Sequence, residues 1–335
     1  MAKIAINWDN TTDEQLLQMR VRDLGLQIAG SELEARINQL YEELNAKGIA
    51  FRPPCYLADE WLCPDREPII GIPFCLAHPR LKHIEQQMML EVEGGTEQTC
   101  MKLLRHETGH AINYAYEFFK KTQWRQLFGP MSTRYSDTYH YLPYSRRFVV
   151  HLESNYAQAH PDEDFSETFA VWLTPNSNWQ EEYKDWLAIK KLQYVDNLMK
   201  KIADIPPHIA PPNNPPWSAS KMTSTLAAYY KRRRESLGNE FQAFYDDKLK
   251  TLFTAKPAPD VKKASKLLRR HRKKLVDNVS KWTEHRKYDI SQLLDKLIMR
   301  CDALELLAKD DDIIGAAALI TTIADNTFKY VQRYD

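Results

Sequence analysis

The chain has 335 residues, enough for one large catalytic-sized domain with an appendage, or for two domains with substantial cores. Its 46 basic and 45 acidic residues leave a net charge of +1, which excludes a molecule-wide electrostatic preference for nucleic acid or anionic lipid. With 43% hydrophobic residues and only ten glycines the composition is that of a helix-rich globular protein, and five scattered cysteines, none spaced as C-x-x-C, exclude a disulfide framework and a thiolate zinc knuckle. The opening MAKIAINWDNTTDEQLLQMR turns polar before it makes an apolar signal core, and no later run approaches the roughly 18 apolar residues of a membrane span. The expectation is a soluble, cytoplasmic chain with reduced, mostly buried thiols and no membrane partner.

In chain order, residues 12–47 carry two helical patterns, DEQLLQMRVRDLGLQI and SELEARINQLYEELNAKG, the second capped by Ser31 and closed at Gly48. Over 49–77 the texture changes to short apolar and β-branched runs broken by prolines, which predicts a small sheet. Gly94 and Gly95 then break the chain before Thr96, the predicted cap of a helix over about 97–120. Residues 121–150 are dense in Tyr, Arg and Pro without a clean period and read as a long structured excursion of the kind that lines functional sites. A further helix starts at Pro161, with Asp162, Glu163 and Asp164 in its first turn. IPPHIAPPNNPPW, residues 205–217, is a proline-rich connector, and only helical patterns follow it, interrupted at AKPAPD. The expected class is α+β and predominantly helical. Its divisions are a catalytic domain over 1–204, the connector 205–217, a helical segment 218–254 packed on or near that domain, and a helical accessory domain over 255–335.

The 97–120 helix contains RHETGH. Residues four apart lie one turn above each other, so His106 and His110 aim two imidazoles at one point. Glu107, rotated roughly 100° from His106, is placed to reach a water on that ion and so to act as general base. A catalytic zinc site needs a third protein ligand and an open fourth position. A third histidine six residues on is absent: Asn113 and Tyr116 stand at the places of the Gly and His of H-E-x-x-H-x-x-G-x-x-H. A carboxylate on a later helix is the other common solution, and Glu163 and Glu167, one turn apart, supply two candidates. Gly109 inside a helix costs about 1 kcal/mol relative to Ala, which calls for close approach of another element.

HETGH followed by DEDFSETFAVWL resembles the zincin metallopeptidases of the glutamate-ligand type, and YAQAHPDEDFSETFA resembles a family of zinc-binding metallopeptidases, a likeness that extends over about residues 1–250. The broader clan, which includes thermolysin and anthrax lethal factor, carries E-x-x-x-[DE]-x-F, the first acid on zinc and the second on a zinc histidine. By that resemblance Glu163 is the third ligand of one zinc ion per chain, with Glu167 its main rival and His160 a lesser one, while Glu167 otherwise orients a histidine and Phe169 completes the pattern. Lethal factor has a tyrosine seven residues before its ligand glutamate; Tyr156 stands seven before Glu163, so the resemblance assigns it oxyanion stabilisation, against a packed aromatic. The implied reaction is hydrolysis of a peptide or protein substrate by a metal-activated water. IIGIPFCLA is read as a buried core strand, or as the edge strand that aligns an extended substrate.

Two further readings complete the expectation. The basic stretch from Lys262 to Lys274, on a helix, is a weak hint of nucleic acid and otherwise a solvated face balanced by acids such as Asp310 to Asp312. No G-x-x-x-x-G-K-[ST] or G-x-G-x-x-G loop points to nucleotide chemistry. The alternative to a peptidase is a catalytically silent protein of the same fold that captures peptides or acts as a scaffold.

Overall fold

The computed structural model describes residues 6–135, 141–142, 144–152, 155–203, 205–234 and 245–327. The chain divides into two compact units, Met1–Glu85 with Val92–Leu226, and Gln86–Glu91 with Ala227–Asp335. The division at Leu226/Ala227 falls inside the segment 218–254.

The first unit opens with α1 (Asp13–Gln18), α2 (Glu32–Ala46), β1 (Cys55–Ala58) and β2 (Ile70–Pro73). It continues with α3 (Pro79–Met89, whose residues from Gln86 belong to the second unit), α4 (Glu97–Ala115), α5 (Thr122–Phe128), α6 (Pro161–Leu173), α7 (Trp179–Glu182) and α8 (Ile189–Ile202). The first predicted helix covers six residues of its sixteen-residue pattern. It stops at Gln18 because Arg20 pairs antiparallel with Thr225, and Val21–Asp23 form a single 3-10 turn. α2 follows its sequence signals: the Ser31 side chain accepts from Leu33 N, Gly48 closes the helix at φ 75°, and Leu33, Ile37, Leu40 and Leu44 are buried along one face.

The predicted sheet is a two-stranded parallel pair, with Tyr56 opposite Gly71. β2 is buried throughout, and both main-chain groups of Gly71 are taken by Leu62 (2.8 and 3.3 Å). A Cβ at Gly71 would lie 2.6 Å from Leu62 Cδ2, so glycine is what lets this second partner close in. β2 is therefore a core strand at this point, and the edge-strand reading of IIGIPFCLA does not hold there.

α4 and α6 form the centre of the unit. α4 begins where Thr96 and Thr99 exchange side-chain-to-backbone bonds, an arrangement whose loss costs about 1 kcal/mol. It ends earlier than its pattern, at Ala115, because Glu117 turns left-handed (φ 52°). The proline-rich stretch then serves that end: His208 N and Ile209 N both donate to the Ala115 carbonyl, which the helix leaves without an internal partner. α6 begins as predicted with Pro161 in its first turn, and His160 caps it by accepting from Asp162 N.

The helices meet at Gly109, where an added Cβ would sit 2.6 Å from Ser166 Cα. This is the close approach that the mid-helix glycine called for. Gly109→Ala is expected to destabilise the fold by about 1–3 kcal/mol, although alanine is the better helix former, because α6 backbone cannot move aside without dragging its side chains. Denaturant unfolding of the variant measures this; a stability equal to or above the parent's would show that propensity, not packing, governs the position.

Flanking elements hold the pair. Arg105 on α4 makes a buried bidentate bond to Glu43 on α2 (2.7 Å each). Phe165 on α6 is fully buried among Phe118, Trp124 and Phe128. Lys191 on α8 reaches Asp164 at 2.5 Å beneath the Phe148 ring.

The second unit is built from α9 (Leu226–Arg234, of which Leu226 belongs to the first unit), α10 (Asp246–Leu252), β3 (Lys262–Lys263), α11 (Ala264–Arg270), α12 (Arg272–Thr283), α13 (Lys287–Ala303), β4 (Leu307–Ala308) and α14 (Asp312–Thr327). Its core includes Leu268, Val279, Leu294, Leu297 and Ile323. The region is not helical only: β3 and β4 pair antiparallel over two residues each, a contact too short for any periodic signal. The basic stretch is not one helix: Lys262 and Lys263 form the strand, and α11 and α12 follow, separated at His271. Arg269 meets Asp302 (2.6 Å), Arg272 meets Asp295 (2.8 Å) and Lys262 meets Asp310 (3.3 Å).

All five cysteines are free thiols, and all but Cys55 are buried. Among the described residues no helix is long and apolar enough to cross a membrane.

Candidate metal centre

The packing of α4 on α6 brings three potential ligand atoms together. His106 Nε2 and His110 Nε2 are 3.1 Å apart, and Glu163 Oε2 lies 3.0 Å from the first and 3.2 Å from the second. All three side chains are buried, and their ligand atoms fall within 4.8 Å of one another, close enough to hold one metal ion. The helix supplies the i, i+4 spacing, and the Gly109 contact sets the depth at which α6 delivers Glu163.

Each imidazole is oriented from behind. His106 Nδ1 donates to Glu167 Oε1 and His110 Nδ1 to Asp162 Oδ2, both at 2.8 Å. A carboxylate at Nδ1 turns the Nε2 lone pair of a neutral imidazole toward the common point. Both carboxylates are themselves held. Leu152 N donates to Glu167 Oε2 (2.8 Å), while Asn113 Nδ2 (2.7 Å) and the Tyr114 hydroxyl (2.5 Å) donate to Asp162. Glu167 thus sits behind His106, whereas Glu163 faces the imidazoles. His160, the lesser rival, is engaged at both nitrogens, by Asp162 N and by the Thr133 carbonyl.

The electrostatics match the geometry. Burial alone would depress both imidazoles, but Glu163 and Glu167 lift His106 to about 10, and Asp162 and Glu163 lift His110 well above its usual range. Burial would likewise raise Glu163, yet the two imidazoles, His110 foremost, hold it well below the usual carboxylate range. The cluster demands positive charge at its centre. A divalent cation there would find two nitrogens and one oxygen, the donor set of a catalytic zinc site.

Glu107 is buried and its Oε2 has no hydrogen-bond partner among the described residues. Desolvation pushes its carboxyl up to about 7, against the pull of His106 and His110. A buried carboxylate oxygen without a partner, beside a site built for a cation, fits a group that handles a proton or a water at that cation.

Tyr156 lies on a 3-10 turn (Tyr156–Gln158) directly ahead of α6, its ring centroid 5.6 Å from that of His106. Phe169 is fully buried against Trp172. Two participants were not singled out from the sequence. From the sequence Asp162 is only a first-turn acid, and Tyr135, in the aperiodic excursion, donates its hydroxyl to Glu163 Oε1 at 3.0 Å. Burial, with Glu163 and Asp162 nearby, keeps that phenol well above its usual range, so it remains a donor. Asp162 had one sequence signal, its place next to Glu163 on a helix already assigned to the site; Tyr135 had only the local density of tyrosines.

Residues 82–204 match the model of a family described as "Putative zinc-binding metallo-peptidase". The matched span contains His106, Glu107, His110, Asp162, Glu163 and Glu167. No curated protein and no solved structure matches the chain. The class supported by this match is a zinc-binding metallopeptidase, over 82–204.

Proposed function

We propose that the protein is a zinc-dependent peptidase that hydrolyses peptide bonds, with one zinc ion held by His106, His110 and Glu163. The observation that carries this reading is the convergence of two Nε2 atoms and Glu163 Oε2 within 4.8 Å in a buried site, with Glu107 Oε2, unpartnered among the described residues, one residue along α4. A zinc ion there supplies Lewis-acid chemistry, lowering the pKa of a water toward about 7 and polarising a carbonyl.

The chain's own residues do the rest. Glu107 takes the proton of the attacking water on Oε2 and gives it to the leaving amine, a role suited to a carboxyl poised at about 7. Glu167 and Asp162 keep both imidazoles turned toward the metal, and Tyr156 is the assigned donor to the developing oxyanion. The substrate is a peptide or protein.

An unbiased peptide-library digest by the full chain, with and without a chelator, tests the reading. Chelator-sensitive cleavage that returns on adding one equivalent of zinc is the expected result. Cleavage indifferent to chelation, or no cleavage by a fully zinc-loaded protein, would overturn it.

A further inference from the structure

We infer that Tyr135 is a positioning residue that confines Glu163 to one-oxygen ligation of the metal. The inference rests on Glu163 being a ligand, as proposed above, and adds a residue outside the two helices that build the site.

The two oxygens of Glu163 face different partners. Oε2 points at both imidazole Nε2 atoms, at 3.0 and 3.2 Å, and Oε1 accepts from the Tyr135 hydroxyl at 3.0 Å. A carboxylate whose second oxygen is engaged by a neutral donor presents one oxygen to a cation and leaves a coordination position for water and substrate.

Tyr135 is itself fixed. Its ring stacks on His160 with centroids 3.7 Å apart and planes 16° from parallel. His160 is held on both sides, donating from Nε2 to the Thr133 carbonyl (2.8 Å) and accepting at Nδ1 from Asp162 N (3.1 Å). Thr133, Tyr135 and His160 thus form a closed link between the excursion and the N-terminus of α6, and the Tyr135 hydroxyl joins that link to Glu163 Oε1. Losing the ring would break the link, while losing the hydroxyl alone would release Oε1.

Tyr135→Phe makes that cut, since it keeps the stacking surface. The full-length variant is expected to bind zinc about tenfold more weakly. Its cobalt-substituted form is expected to show weaker visible bands than the parent's, as Glu163 swings to two-oxygen ligation and the coordination number rises. Tyr116→Phe, which removes a hydroxyl bonded to the Ile205 carbonyl instead, controls for tyrosine loss and should leave both readouts unchanged. Metal-free unfolding curves show whether the variant folds, and Glu163→Gln tests the ligand reading separately. If Glu163→Gln loses zinc while Tyr135→Phe keeps the parent's affinity and cobalt spectrum, the inference is overturned and Glu163 stands as ligand. If Glu163→Gln binds zinc as the parent does, the ligand assignment fails and the inference with it. A Tyr135→Phe protein that binds weakly and also unfolds more easily without metal overturns it too, because the hydroxyl would then serve the fold.

Discussion

Glu107→Gln is expected to bind zinc as the parent does and to lose about 10²–10⁴-fold in turnover. The substitution keeps the size of the side chain and removes the atom that accepts the proton. Two features make this the largest catalytic effect expected: Glu107 Oε2 is buried without a partner among the described residues, and its carboxyl is held at about 7 by desolvation against two neighbouring imidazoles. Metal analysis and steady-state rates on the same preparation separate the two consequences. Zinc lost together with activity would make Glu107 a structural support of the ligands, and full activity with Gln would remove it from the mechanism.

The largest effect on stability is expected from Asp162→Ala. This carboxylate is fully buried and accepts from His110 Nδ1, Asn113 Nδ2 and the Tyr114 hydroxyl, three groups on the last two turns of α4. Alanine removes the acceptor that those three donors share. Breaking a buried charged pair by removing one partner costs about 3–5 kcal/mol, and the orienting partner of a ligating histidine is worth about 10–100-fold in metal affinity. Denaturant unfolding of the metal-free variant reads the first and zinc titration the second. Asp162→Asn, which keeps one acceptor oxygen, should fall between. A change below about 1 kcal/mol with unchanged zinc binding would mean that the Asp162 network is incidental to both fold and site.

What the sequence made legible were features encoded over a single turn. His106 and His110 lie four apart, Thr96 precedes α4, Pro161 opens α6, and Gly109 is a costly residue in a helix interior; each has a local physical meaning that the fold retains. The features that were not legible depend on partners far along the chain. α1 ends because Thr225 pairs with Arg20, β3 exists because Leu307 and Ala308 lie beside it, and Tyr135 reaches Glu163 across 28 positions. Asp162 shows the difference within one residue. As a first-turn acid its local role needs no partner, and its role behind His110 appears only when α4 and α6 are placed together.

The same reasoning separates Glu163 from Glu167. One turn apart on one helix, they are equivalent by spacing. They differ because the His106 ring lies between them: Glu167 meets its Nδ1 side, while Glu163 meets the Nε2 side of both histidines.

An anomalous-scattering map at the zinc edge, from crystals of the zinc-loaded protein, locates the metal and its ligands directly. One strong peak per chain is expected, within about 2.0–2.2 Å of His106 Nε2, His110 Nε2 and Glu163 Oε2. A peak bonded to Glu167 in place of Glu163, or no peak at His106 and His110 in protein shown to contain zinc, would contradict it.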